Sequence, residues 1–334
     1  MVDGLDPEAL RQYLAPFGFA LDDAELIHGG KSNLTYRLTG TRDWVLRRPP
    51  MGHVLATAHD MAREYRVMSA LAKSPVPVPA MVTLCEDPSV IGAPFYVMEY
   101  VDGSVLRRTK DTDELDDSQR TALAFKLIDT LADLHEVDPA QVGLADFGHA
   151  QGFLERQVRR WTQQLERSRS RDIPGAGELA GALAAGVPRS QRVSVVHGDY
   201  RLDNVMVGPD QQILAVRDWE MATLGDPLCD LGLLPVYAIP VPDVAGTVSD
   251  GMGPHNGFPP IESLIQRYAD RSGLDVSHLP WYIALGHYKL AVICEGIHYR
   301  YGTGQTVGPG FERIGAIVEP LVSAGREVLT GQYT

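Results

Sequence analysis

The stretch from Val193 to Gly232, VSVVHGDYRLDNVMVGPDQQILAVRDWEMATLGDPLCDLG, constrains this chain more than any other. A largely apolar run over residues 193–196 has the character of a buried strand and ends at His197 and Gly198, so Asp199 follows it at once. Asn204 comes five residues later. A second run (205–207), a Gly-Pro-Asp turn and a third run (213–216) then lead to Asp218, which predicts a hairpin whose near ends bring Asn204 and Asp218 together.

These residue types suit one kind of chemistry. A multiply charged phosphate donor needs a hard divalent cation held by oxygen ligands, and an Asp with an Asn suits magnesium. A separate carboxylate must orient an incoming hydroxyl and take its proton. Asp199 fits the second task, and Asn204 with Asp218 fits the first. An aspartate in a turn usually does no more than cap it, but three such groups in order between strand runs are a different signal.

The order matches the protein-kinase template, H-R-D-x-x-x-x-N and then a metal-binding Asp on the next hairpin. Here HGDYRLDN stands for the first motif and DWE for the second, and with that change the chain resembles the aminoglycoside phosphotransferase and choline kinase branch of the kinase-like fold. The resemblance implies an α+β, two-lobed fold: a small antiparallel-sheet lobe with one main helix over residues 1–101, and a larger, mostly helical lobe over residues 102–334. It also implies ATP and Mg2+ as cofactors, with γ-phosphoryl transfer to a hydroxyl of a small-molecule acceptor. Asp199 becomes the catalytic base, Asn204 and Asp218 the metal ligands, and Arg201 a charge stabiliser where kinases place a Lys.

Composition narrows the surroundings. The 334 residues suggest about two domains, and 44% hydrophobic residues supply a sizeable core. No apolar run approaches a membrane span and the N-terminus lacks a signal-like apolar region, so a cytoplasmic chain is expected. Cys85, Cys229 and Cys294 are scattered and read as reduced core filler. A net charge of −13 argues against nonspecific nucleic-acid binding.

Along the chain, Asp6-Pro7 opens a lead-in helix ending before Gly18. Three short strands follow, with turns at Gly29-Gly30 and Gly40. The first turn, with Gly29, Gly30, Ser32 and Asn33, is the candidate phosphate cover, since glycine lets backbone N–H groups approach phosphate oxygens. The sequence GGKS is not a P-loop, because Glu25 occupies the position where that motif needs its first glycine. In the third strand, Arg47 aligns with the kinase Lys and Arg48 is its alternate-face neighbour, while Glu64, on a helix expected over Thr57 to Ala72, is its candidate partner. Two more strands lead to FYVMEYVDG, which resembles a kinase hinge where backbone groups of Glu99 to Val101 would meet adenine.

Helices are expected from there on. One over Ser118 to His135 ends in a histidine read as a C-terminal cap. Another over Phe153 to Arg171 has Arg156, Arg160, Arg167 and Arg171 on one face, either a solvated surface or a landing strip for an anionic acceptor. A Gly- and Pro-rich stretch over residues 240–260 reads as a loop near the acceptor. Further helices are expected at Ile261 to Ser272, His278 to Tyr301 and Phe311 to Leu329, with His287, Lys289, His298 and Arg300 as possible acceptor contacts. His197 reads as a structural hydrogen-bonder and Asp230 as a brace for the catalytic loop. Arg217, directly before the metal Asp, has no assigned role.

VLRRPP, REYRVM, FLERQVRRWT and WEMATLGDPLCDLG make the chain look most like the phosphotransferase module associated with acyl-CoA dehydrogenases. That resemblance implies a hydroxy-acid or hydroxyacyl-CoA acceptor. Two rivals stand beside it. A cationic acceptor of aminoglycoside type is favoured by 12 acidic against 6 basic residues from Trp219 onward. A nucleotide-binding pseudokinase scaffold is suggested by the arginines at 47 and 217.

Overall fold

The computed structural model describes residues 4–27, 33–51, 60–107, 109–238, 252–305 and 311–331. The chain has the protein-kinase-like fold and divides into two compact units. One comprises Met1–Gly103 with Leu214–Ala222, and the other Ser104–Ile213 with Thr223–Thr334. The segment bearing Asp218 therefore belongs with the first unit although it follows residues 104–213 of the second in sequence.

The first unit is built on a five-stranded antiparallel sheet in the order β1-β2-β3-β5-β4: β1 (Leu21–Leu26), β2 (Leu34–Gly40), β3 (Trp44–Arg48), β4 (Met81–Cys85) and β5 (Phe95–Glu99). Tyr36, Leu38, Leu46, Phe95 and Val97 pack with Leu10 and Leu14 of α1 (Pro7–Leu14) into one core. Asp6 caps α1 by accepting from the Glu8 and Ala9 amides, and Pro7 sits in the first turn, where its missing N–H is no loss. The main helix α2 (Met61–Leu71) begins at an Asp60 cap, and residues 52–59, where its start was expected, lie outside the described residues. Trp219 is fully buried, and its indole N–H donates to Val216 O at 3.0 Å. Arg63 of α2 reaches Ala222 O at 3.0 Å, which ties the 214–222 segment to this unit.

The second unit is mostly helical: α3 (Asp117–Glu136), α4 (Phe153–Ser168), α5 (Ala176–Ala185), α6 (Leu228–Leu231), α7 (Leu233–Tyr237), α8 (Ile261–Ser272), α9 (Leu279–Gly302) and α10 (Val318–Thr330). α9 is its axis, buried almost all round from Leu279 to Gly296 and packed by α4, α5, α6, α7 and α10. Short strands β6 (Ser194–Val196) and β9 (Thr223–Gly225) pair antiparallel. β7 (Val205–Val207) is followed by the expected turn, closed by Gly208 N–H to Gln212 O at 2.9 Å, and then by β8 (Ile213–Val216), whose residues from Leu214 on belong to the first unit.

Several expectations are corrected here. The last helix is not continuous: residues 311–317 form a 3-10 turn and the α-helix begins at Val318. Pro320 explains the break, because inside a longer helix its ring would meet the carbonyl four residues back, whereas a first turn accepts it. His135 is no cap, since it is wholly buried and bonded to Asp230 and Tyr268. His287 and Lys289 are buried in α9 and do not offer themselves as acceptor contacts. Of the Arg face, Arg156 donates to Gln151 O and His149 O, and Arg171 to Glu295 and Gly315 O, so half of it staples local structure. Most of the Gly- and Pro-rich stretch, residues 239–251, lies outside the described residues.

Candidate active site

In the first unit, β3 brings Arg47 into register opposite Tyr96 of β5, and both side chains are buried. Arg47 Nη2 donates to Asp218 Oδ1 at 2.5 Å, and its Nε lies 3.5 Å from Glu64 Oε2, a contact of charges rather than an aligned hydrogen bond. Glu64, 1% exposed, has both oxygens occupied: Oε1 accepts from Asn33 Nδ2 and Oε2 from the Tyr96 hydroxyl, each at 3.0 Å. Burial pushes the Glu64 carboxyl up and Arg47 pulls it only part of the way back, so it stays above its ordinary value. Burial works against the Arg47 charge too, but Tyr96, Glu64 and Asp218 outweigh it and hold the guanidinium protonated. Arg48 takes another path and anchors the strand by donating to Gly4 O and to Ile91 O at 2.9 Å.

Asp218 is one of two non-glycine residues with positive φ among those described (φ 69°, ψ 56°). That conformation costs about 1–2 kcal/mol for an L-residue. Strain of this kind persists only where the surroundings enforce it, here the buried Trp219 on one side and Arg47 on the other.

At the hinge, Glu99 N–H donates to Ala80 O and Tyr100 N–H to Asp43 O. Of the three hinge amides, Val101 N–H alone makes no hydrogen bond among the described residues. The Glu99 side chain is half exposed, beside Arg42. Gly29, Gly30 and Ser32 lie outside the described residues, and Asn33 is placed against Glu64.

In the second unit, β6 delivers His197, Gly198 and Asp199. Gly198 has φ 83°, a left-handed conformation that glycine alone adopts freely. Asp230 braces this turn from below: Oδ2 accepts His197 N–H and Oδ1 accepts Gly198 N–H, both at 2.7 Å, and His135 Nε2 lies 3.2 Å from Oδ2. With Nε2 donating, His135 Nδ1 accepts from the Tyr268 hydroxyl at 2.6 Å. Burial would raise the Asp230 carboxyl, but His135 and the backbone donors outweigh burial and hold it below the ordinary carboxylate value. His197 Nδ1 accepts the Asp199 amide at 3.2 Å, and Lys289 Nζ donates to Gly198 O.

The Asp199 carboxylate is gripped at both oxygens. Asn204 Nδ2 donates to its Oδ2 at 2.9 Å and to its backbone O at 2.8 Å. Tyr237, at the end of α7, donates its hydroxyl to Oδ1 at 2.5 Å. Arg201 Nε lies 3.5 Å from Asp199 Oδ2 and 3.0 Å from Asp203 Oδ1, and its guanidinium stacks 5.0 Å over the Tyr237 ring. Since both amide hydrogens of Asn204 point at Asp199, its Oδ1 faces away, free in direction for a hard cation. In the first unit Asp218 offers a carboxylate, an oxygen ligand of the kind a hard cation accepts. Among the described residues no group of three His, Cys, Asp or Glu side chains forms a metal centre by itself.

The structure thus gathers Arg47, Glu64, Asn33 and Asp218 in one unit, and Asp199, Arg201 and Asn204 in the other. Sequence reasoning did not single out Tyr237 or Tyr96. Neither carries a local signal: Tyr237 closes the apolar run LLPVY and Tyr96 lies in an ordinary strand.

Comparison with known proteins decides the family. The model of the phosphotransferase enzyme family matches residues 23–256. This chain belongs to that family. The phosphotransferase is 33% identical to a Ralstonia eutropha JMP134 protein assigned as an aminoglycoside phosphotransferase, with a TM-score of 0.86 over 98% of this chain and 99% of that one. It is 35% identical to mouse acyl-CoA dehydrogenase family member 10 over 90% of this chain, and 34% identical to human acyl-CoA dehydrogenase family member 11 over 96%. It spans only 28% of the mouse protein's length and 42% of the human one. A thermostable mutant of the aminoglycoside phosphotransferase APH(4)-Ia, solved in complex with ADP and hygromycin B, shares the fold alone, at 14% identity and a TM-score of 0.64 over 96% of this chain and 98% of that one. Among the described residues, no helix is long and apolar enough to cross a membrane.

Proposed function

We propose that this phosphotransferase moves the γ-phosphoryl group of Mg-ATP to the hydroxyl of a small hydroxy-acid or hydroxyacyl thioester. The observation that carries the reading is the Asp199 carboxylate, fixed by Asn204 on Oδ2 and a quarter exposed. A carboxylate so held can receive a hydroxyl proton without having to be ordered first. Bound Mg-ATP would supply the transferable phosphoryl group, and the rest is the work of the chain. Asp199 orients and deprotonates the acceptor, and Arg201 offsets charge that develops beside it. Asn204 and Asp218 are the metal ligands in this reading. Arg47, steadied by Glu64, would meet the donor phosphates, and the backbone of Glu99 to Val101 would meet the base. Residues 1–101 would serve the nucleotide and residues 102–334 the acceptor.

The acceptor class is supported by the lining of a small pocket in the second unit, about 10 Å³ and so roomy enough for a single water, formed by Arg201, Leu202, Leu234, Tyr237, Met252, Ile261 and Leu264. Its walls are apolar and its one charged side chain is a cation. Among the described residues that lining offers a polycationic aminoglycoside no carboxylate, whereas its apolar side chains and its arginine match the chemistry of an apolar chain with an anionic head. The names of the curated relatives, acyl-CoA dehydrogenases, support an acyl thioester as that chain. The test is a panel assay with Mg-ATP comparing 4-hydroxyacyl-CoA, free hydroxy-acids and kanamycin-type compounds. Phosphorylation of the first two is expected, and Asp199→Ala should lower turnover by about 10² to 10⁴ while sparing nucleotide binding. Asp218→Ala should instead weaken magnesium-dependent nucleotide binding. Turnover of kanamycin alone, or equal small losses in both variants, would overturn the assignment.

A further inference from the structure

We infer that the Tyr237 hydroxyl caps Asp199 against water, so that phosphoryl transfer waits for an alcohol able to displace it. The inference rests on Asp199 being the base, and it concerns what occupies that base before the acceptor arrives. Oδ2 is held by Asn204, whereas the partner of Oδ1 is a phenol at 2.5 Å, the position and chemistry that an incoming acceptor hydroxyl would take. The phenol is not a loose surface group. Tyr237 is 7% exposed, with Arg201 stacked on its ring. Burial first, and then the Asp199 charge, pushes its hydroxyl well above its ordinary value, so it remains a donor.

A base competent to activate an alcohol is equally competent to activate water. In that side reaction the water oxygen bonds to the γ-phosphorus as the bond from phosphorus to the β,γ-bridging oxygen breaks. The water proton passes to Asp199 Oδ1, and ADP leaves with the bonding pair, so that ATP and water become ADP, inorganic phosphate and a proton. Water brings no binding energy with which to replace the phenol. An alcohol with a carbon skeleton to set against the apolar side chains of Leu202, Leu234 and Met252 does bring it, which couples turnover to the presence of the acceptor.

Tyr237→Phe keeps the ring under Arg201 and removes only the hydroxyl. With ATP and magnesium and no acceptor, released phosphate should rise about tenfold over wild type, the order expected for losing one hydrogen bond to a charged group. Tyr237→Phe with Asp199→Ala should return to the wild-type level or below. A measurement without nucleotide checks the geometry separately: in the chain labelled with 13Cζ-tyrosine, the resonance lost in Tyr237→Phe should move in Asp199→Asn. An unmoved resonance, or hydrolysis unchanged in Tyr237→Phe while wild type still phosphorylates an alcohol, would overturn the cap. A resonance that moves in a chain unable to turn over ATP with any alcohol, or with water in Tyr237→Phe, would overturn the phosphotransfer reading and the cap with it.

Discussion

Replacing Arg47 by methionine strips the cation from Glu64, which is 1% exposed and sits on the main helix of the first unit. Methionine fills much of the same volume, so the loss is electrostatic rather than a cavity. Asp218, a quarter exposed, can turn to solvent, but Glu64 cannot. A buried carboxylate without a cation takes up a proton instead of staying charged, and this bounds the penalty. Protonating a carboxyl of ordinary value 4.5 at pH 7 costs about 3.4 kcal/mol, at about 1.36 kcal/mol per pH unit. At pH 5 the same step costs only about 0.7 kcal/mol. The sign follows from proton counting: the native variant holds a proton that the unfolded chain releases above pH 4.5, so its stability falls as pH rises. Because burial already raises the Glu64 carboxyl in wild type, the loss in Arg47→Met relative to wild type should be at most about 3 kcal/mol at pH 7 and under about 1 kcal/mol at pH 5. Hydrogen exchange of peptides covering residues 44–48 and 61–71, followed against urea at both pH values, reads these differences in the unit concerned. Adding Glu64→Gln should remove most of the pH dependence. A loss equal at pH 5 and pH 7, or below about 0.5 kcal/mol at both, would show that Glu64 does not depend on Arg47 for its charge.

Two further expectations concern the second unit. Burial pushes the His287 imidazole down to about 4 from an ordinary 6.5, so its contribution is intact above pH 6.5 and lost as pH falls toward 4. That loss is about 3 kcal/mol, visible in pH-dependent urea unfolding and as a His287 ring resonance that fails to titrate between pH 7 and 5. Asp230→Asn puts an amide donor against the His197 or Gly198 N–H and removes the charge facing His135. It should destabilise the unit by about 3 kcal/mol in thermal unfolding and lower kcat more than KM changes, because the Asp199 backbone loses its brace.

The catalytic stretch was legible because its constraints are local. A strand run, a glycine and five residues of loop set where Asp199 and Asn204 fall, and the turn at Gly208–Gln212 follows from Gly-Pro-Asp between two apolar runs. Asp6-Pro7 likewise announced α1, and Asp230 was expected as a brace. The break before Val318 could also have been read from Pro320, since proline geometry is intrinsic to the residue.

What the linear chain could not disclose is which distant groups share a charge. His135 lies 95 residues from Asp230, Tyr237 lies 38 from Asp199, and Arg47 lies 171 from Asp218. Periodicity and motif spacing record which side of an element a residue occupies, and by that measure His135 was a helix end and Tyr237 an apolar position. Their polar atoms found partners only when burial removed water and left each donor and acceptor to be satisfied within the fold. The residue types at 199, 204 and 218 are what point to the chemistry proposed for this phosphotransferase. Tertiary packing decided which side chains hold those residues, and what rests on the Asp199 carboxylate until a substrate arrives.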